Sequence, residues 1–337
     1  MDPILLAGGS GLIGRWTARH LRDAHPTVPL LIGGRDLSRA RRVAEEVGAA
    51  EAVRLDLGAP DLGLGDRPVA AVATLFRDGA LSVLRLAQER GAGHIGISAL
   101  GVHEMAPEVA ASAARPHAAP IVLGAEWLVA ATTIPALHLA ERFARVDRIR
   151  LAAVLDEQDA GGPAQVADLE RAVGATTPAM VRSDGAYSWL PEEDLGSIVR
   201  AADGTEMQAA ALSPFDVVVL GTATGAPDIR FDLAEGVTSA RRAGGALSTE
   251  ILVELVGEDP QGRPLRLRQA VVHPQGQMSP TGLGVAMVLE RLAGLGGGDP
   301  VPSGLHFPSQ LLDPAAYLDR LRRSGAQILA LDGTETS

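Results

Sequence analysis

Pro3-Ile4-Leu5-Leu6-Ala7-Gly8-Gly9-Ser10-Gly11-Leu12-Ile13-Gly14 decides the fold. The apolar run between the proline and the glycine pair reads as a buried strand. Gly8, Gly11 and Gly14 satisfy G-x-x-G-x-x-G, Gly9 opens G-x-G-x-x-G, and a helical pattern through Trp16 and Leu21 follows at once. Glycines so spaced let the backbone turn tightly and approach a pyrophosphate, whose charge the helix N-terminus stabilises. An ordinary glycine turn is the competing reading, but the strand before and the helix after favour a dinucleotide loop. Gly8, Ser10, Gly11, Leu12 and Ile13 are its expected contacts.

Outward from this loop, short apolar runs alternate with helical patterns as far as residue 125. Strands are expected at Val28 to Ile32, Ala52 to Leu57, Val69 to Leu75, His94 to Ser98 and Pro120 to Leu123. Helices are expected from Leu37 to Val47 and from a cap at Asp78 to Gly91. Six strands with helical crossovers predict an α/β fold, a doubly wound parallel Rossmann sheet. A long helix from about Leu128 to Phe143 then precedes period-2 segments at Arg148 to Leu155, Ile229 to Leu233, Thr249 to Leu255 and Pro264 to His273. These predict a second α+β, mostly antiparallel domain. The expected division is 1–128 for dinucleotide binding, 129–279 for the substrate domain, and 280–337 for C-terminal elements packing back on the first domain.

The composition excludes several classes of function. Among 337 residues, 30 basic and 41 acidic side chains give a formal net charge of −11. That balance argues against nucleic acid and against an anionic membrane as partners. There is no cysteine, and every basic residue is arginine. Thiolate zinc sites, thiol nucleophiles, Schiff-base lysines and a P-loop lysine are therefore excluded. Met1-Asp2-Pro3 carries no basic region ahead of the first strand, so a cytoplasmic protein is expected. An exposed antiparallel sheet could pair as a homodimer.

About twenty residues past the glycine loop, the second strand ends in Gly33-Gly34-Arg35-Asp36. A site tuned to NAD places a carboxylate there for the ribose 2′-OH. Here Arg35 comes first, with Ser38 behind it, and a guanidinium with a hydroxyl suits a 2′-phosphate. Asp36 dissents unless it caps the helix that follows. Arg41 and Arg42 read as a solvated helix face. NADP is the expected cofactor.

The Gly8 to Gly14 loop, Gly34-Arg35-Asp36, Asp56-Leu57 ending the third strand, and the helix to Gly91 resemble saccharopine-dehydrogenase-like NAD(P) oxidoreductases. The resemblance continues through Leu155 to Asp159, Ser213 to Asp216, His273 to Gln277 and Gly304 to Pro308, and so covers most of the chain. It implies a two-domain oxidoreductase, with Asp56 and Leu57 beside the cofactor. One departure is clear: many such proteins carry an aromatic-x-Asp pattern on the fifth strand, and His94-Ile95-Gly96 has glycine where the acid would be. The general acid must then come from elsewhere, or the chemistry differs.

In an open α/β sheet the site lies beyond the carboxyl ends of the strands. That places Leu75, Phe76, Ser98 and Gly124 to Trp127 near the nicotinamide. Glu126 is a candidate acid if burial beside Trp127 raises its pKa; the competing reading is a carboxylate serving a helix dipole. His273 is a candidate proton donor, against the reading of a satisfied core histidine. Arg230, Arg241 and Arg242 could each hold a substrate carboxylate, though surface arginine explains each singly. Asp156, Glu157 and Asp159 lack histidines at supporting spacing, so no metal is expected. The resulting expectation is an NADP-dependent oxidoreductase moving hydride between nicotinamide and a small imine or carbonyl substrate. An NADP-binding sensor without turnover is the alternative. An atypical short-chain dehydrogenase ranks below both, since that family's proton relay needs lysine.

Overall fold

The computed structural model describes residues 1–97, 102–159, 161 and 179–331. The chain divides into two compact units, with the break between Ala125 and Glu126. The first unit comprises the described residues up to 125, together with 161 and 281–312. Its strands are β1 (Ile4–Ala7), β2 (Leu30–Gly34), β3 (Ala50–Arg54), β4 (Ala71–Thr74), β5 (Gly93–Gly96), β6 (Ile121–Leu123) and β15 (Leu305–His306). They form one seven-stranded sheet in the order β15-β6-β5-β4-β1-β2-β3, every pairing parallel. Ile4, Leu5, Leu6 and Ala7 are all fully buried, as a strand covered on both faces requires. The chain leaves β1 for β2 and β3, then returns to β4 on the other side of β1. That reversal opens a crevice at the carboxyl ends, the place where doubly wound sheets bind ligands.

Helices α1 (Leu12–Ala24), α2 (Leu37–Val47), α3 (Ser82–Glu89) and α4 (Ala106–Ala114) lie within this unit. Asp36 caps α2 by accepting from the Ser38 and Arg39 N–H groups. Asp78 accepts from the Val83 N–H at 2.8 Å, so it serves the start of α3 as expected.

The second unit comprises the described residues 126–159, 179–280 and 313–331. Its strands are β7 (Arg145–Asp156), β8 (Met180–Ser183), β9 (Ala186–Trp189), β10 (Gly196–Arg200), β11 (Glu206–Ala211), β12 (Asp228–Gly236), β13 (Thr249–Glu258), β14 (Pro264–His273) and β16 (Gln327–Ala330). The sheet runs β10-β11-β12-β7-β13-β14-β16, with the β8-β9 hairpin attached to β12. Only β7 and β12 pair in parallel; the other pairings among the described residues are antiparallel.

Two expectations change. The C-terminal segment does not pack as one piece on the first unit: residues 281–312 belong there, whereas 313–331 belong to the second. The reason is an open sheet edge, since β16 pairs antiparallel with β14 and satisfies its outer row of backbone groups. The helix expected from Leu128 to Phe143 is α5, Thr133–Ala140. Pro135 lacks an N–H and is tolerated only in a first helical turn, which sets the start. Ahead of it Leu128, Val129 and Ala130 adopt left-handed φ values of +48°, +56° and +74°. Among the described residues no helix is long and apolar enough to cross a membrane.

Candidate functional site

The glycine loop is a cradle that side chains would fill. Gly8 has φ +89°, and a Cβ on it would stand 3.0 Å from Phe76 Cδ1. A Cβ on Gly9 would meet the Leu6 carbonyl oxygen at 2.9 Å, and one on Gly14 would lie 2.5 Å from Gly9 Cα. The last contact is the close helix–strand approach that the third glycine of such a loop permits. The Gly8 and Gly9 N–H groups both donate to the Gly33 carbonyl, tying the loop to the end of β2. Gly11 is the N-cap of α1; no side chain caps that end, and its first turn holds no acidic residue. The first helical N–H groups and the positive end of the helix dipole therefore stay open to an anion. Leu12 is exposed and Ile13 half-buried at this rim, and Ser10 lies against Gly34, where a Cβ would be 3.0 Å from its Oγ.

At the end of β2, Arg35 is exposed, and no carboxylate or carbonyl of the described residues engages it. Asp36 is engaged locally through one oxygen: Oδ1 accepts from the Ser38 N–H at 2.9 Å, the Ser38 hydroxyl at 2.6 Å and the Arg39 N–H at 3.1 Å. These bonds, the Ser38 hydroxyl foremost, hold its carboxyl below the usual range. The capping explanation for Asp36 accounts for its position, and the Ser38 hydroxyl is drawn into the same cap. Asp56 accepts from the Gly58 N–H at 2.9 Å and, with Leu57, is exposed just past β3.

Leu75 and Phe76 follow β4, with Phe76 packed on the core cluster beneath it. Ser98 lies outside the described residues. Beside Leu75 the carboxyl ends of β4 and β5 hold a cluster that the sequence did not reveal. Thr74 Oγ1 and His94 Nε2 are 2.8 Å apart, and burial lowers the His94 pKa to about 3, so the ring is neutral. Glu108, in the first turn of α4, leans over Gly96; its Oε1 lies 2.9 Å from where a Cβ on Gly96 would stand. Burial first, and the Asp78 carboxylate second, raise the Glu108 pKa to about 7. Glu108 thus supplies a protonatable carboxyl at the strand position that lacks one. In the sequence it reads as an ordinary acid at a helix N-terminus, and only Gly96 on an apolar strand hinted at a filled space.

The remaining candidates belong to the second unit. Glu126 is buried and near enough to the buried Tyr317 to raise its phenol pKa, behind the larger effect of burial. Its neighbour Trp127 donates its backbone N–H to Asp216 at 2.7 Å. His273 is buried, with Nε2 3.2 Å from Ser324 Oγ and Nδ1 accepting from the Gln275 N–H at 3.3 Å. Arg230 pairs with Asp232, Arg241 with Asp156 and Glu157, and Arg242 with Asp203. Asp159 accepts from the Gln277 N–H at 2.8 Å. Among the described residues no group of three or more such side chains is placed to hold a metal ion.

No protein-family model matches the chain, and no curated protein matches it. Solved structures do. Apo saccharopine dehydrogenase (L-Glu forming) from Saccharomyces cerevisiae superposes with a TM-score of 0.64 at 14% identity, covering 98% of this chain and 100% of that one. GenD2 from gentamicin A biosynthesis, solved in complex with NAD, gives a TM-score of 0.50 at 14% identity, covering 99% and 97%. The chain has a saccharopine-dehydrogenase-like fold: a Rossmann-type parallel sheet followed by a second, mixed-sheet domain.

Proposed function

We propose that this protein is an NADP-dependent oxidoreductase acting on a small imine or carbonyl compound. The observation that carries the reading is the uncapped, acid-free start of α1 over a glycine cradle at the switch point of a doubly wound sheet. The fold shared with saccharopine dehydrogenase supports it. Gly8 to Ile13 hold the pyrophosphate, Arg35 meets the adenosine 2′-phosphate, and Leu75 and Phe76 flank the nicotinamide side of the crevice. When bound, the dinucleotide supplies or accepts the hydride.

What the chain itself adds is a proton. A carboxyl with a pKa near 7 is half protonated at neutral pH, the range in which general acid–base catalysis works best. Glu108 holds that proton at the end of β5 and gives it to the substrate nitrogen or oxygen during reduction. Its presence weakens the alternative of a sensor without turnover, which rested on the missing acid at Gly96. Glu126 and His273, both buried in the second unit, stay the other candidates for that proton. NADPH oxidation followed across cyclic imines, aldehydes and keto acids paired with amino acids tests the proposal. Turnover with one of these classes is expected. Tight NADPH binding with no turnover across the panel would favour the sensor.

A further inference from the structure

One register row of the second sheet sets arginines side by side. Arg230 on β12 stands opposite Arg150 on β7, Arg150 opposite Glu254 on β13, and Glu254 opposite Arg268 on β14. Like charges directly opposed across a strand pair are destabilising, yet Arg230 and Arg150 occupy such a pair. The row lines a cavity of about 580 Å³, to which Arg200 and Arg266 also contribute. Five arginines face two carboxylates there, Asp232 and Glu254, in a chain whose net charge is −11.

The partners can be followed one by one. Asp232 accepts from Arg230 Nε and from Ser197 Oγ, both at 2.8 Å. The rest of the Arg230 fork donates to the Asp194 and Leu195 carbonyls. Glu254 accepts from Arg266 at 2.8 Å and lies 3.6 Å from Arg268 Nε, while Arg268 Nη2 donates to the Arg200 carbonyl at 3.0 Å. Arg200 pairs with Glu206 at 3.0 Å. Arg150 remains: no carboxylate, carbonyl or hydroxyl of the described residues accepts from it. Burial first, then Arg148 and Arg230, hold its pKa below the ordinary guanidinium value, against a smaller opposing pull from Asp232 and Asp228.

We propose that this cavity binds a small organic anion bearing at least two carboxylate or phosphate groups, with Arg150 as its central contact. Cavities of roughly 300–1,000 Å³ suit metabolite-sized ligands. Guanidinium forks bind both kinds of oxyanion in bidentate fashion. Arg150 and Arg268 stand two strands apart, roughly 10 Å along the sheet, a span that two anionic groups on one short skeleton bridge. Val199 and Leu252 give that skeleton an apolar wall. Every lining residue belongs to the second unit.

Thermal unfolding and isothermal titration of the full chain test this, with citrate and inorganic pyrophosphate as probes and chloride at matched ionic strength as reference. Citrate or pyrophosphate should raise the wild-type Tm saturably, and the stronger of the two identifies carboxylate or phosphate as the ligand chemistry. Arg150→Met should weaken that binding about tenfold or more, the loss of one charge-assisted hydrogen bond. In chloride the same variant should unfold at or above the wild-type temperature, because a repelled cation has been removed. No saturable response to either probe, or an equal response in R150M, would overturn the proposal. So would an R150M protein that unfolds well below wild type in chloride, since Arg150 would then be supporting the fold. Sedimentation showing a wild-type dimer that R150M dissociates would also overturn it, in favour of a second copy as the occupant.

Discussion

Glu108 fills the space that a side chain at Gly96 would need, its Oε1 2.9 Å from the position of a Cβ there. The glycine on β5 and the acid on α4 form one arrangement, in which the carboxyl reaches the end of the sheet from a helix rather than from the strand. It sits where burial and the Asp78 carboxylate keep its proton near neutral pH.

Exchange of the two positions tests this arrangement. Glu108→Ala should lower kcat for reduction by about 10²–10⁴-fold, the usual contribution of a positioned general acid. The double variant E108A/G96D puts an acid back on β5 and should recover part of that loss. In wild type the reductive rate should fall as pH rises through about 7, where Glu108 loses its proton. A pH–rate profile unchanged in E108Q would show that another group supplies the proton.

The same carboxyl makes stability depend on pH with a definite sign. Its pKa in the folded protein is raised to about 7 from an ordinary value of 4.5. Between these values the folded state keeps a proton that the unfolded chain has released, so stability falls as pH rises. The benefit of that proton is fully present below the ordinary value and is lost as pH passes through 7. Glu108→Gln lacks this dependence, so its urea midpoint should gain on wild type between pH 5 and pH 8. Parallel curves for the two proteins would contradict the shifted pKa.

Cofactor choice should rest on Arg35. A charge-assisted hydrogen bond to phosphate is worth about 1.5–3 kcal/mol, roughly ten- to a hundred-fold in affinity. Arg35→Ala should weaken NADPH by that factor and leave NADH nearly unchanged, as read by fluorescence titration. Equal losses for the two nucleotides would assign Arg35 to the adenine or to the fold.

Asp216 should prove structural. Fully buried, it accepts from the Trp127 N–H and the Thr132 hydroxyl, and so brackets the left-handed turn at Leu128, Val129 and Ala130. Left-handed φ costs about 1–2 kcal/mol for each such residue, so the turn depends on what holds its ends. Asp216→Ala should lower stability by about 2–4 kcal/mol, measured by denaturant unfolding. A change below about 0.5 kcal/mol, typical of an unimportant surface position, would show that packing alone holds the turn.

What the sequence disclosed was local. The strand, glycine loop and helix at residues 4–24, and the Asp36 cap, depend on neighbours within a few positions, so their patterns carry the answer. The left-handed turn at Leu128 to Ala130 does not, because its bracket comes from Asp216 far along the chain. An apolar run there looks helical until Pro135 is placed in the first turn. β16 was legible as a strand, but its partner was not, since edge pairing with β14 joins distant segments. Glu108 was hidden for the same reason: its role exists only where α4 meets the end of β5.

The central claim is that the loop from Gly8 to Gly14 holds a nicotinamide dinucleotide. Titrating the wild-type protein with NADPH and NADH, and following quenching of tryptophan fluorescence or heat, tests it most directly. Saturable binding at one nucleotide per chain is predicted, with NADPH at least about tenfold tighter than NADH through the phosphate contact at Arg35. Absence of saturable binding for both nucleotides would contradict the claim.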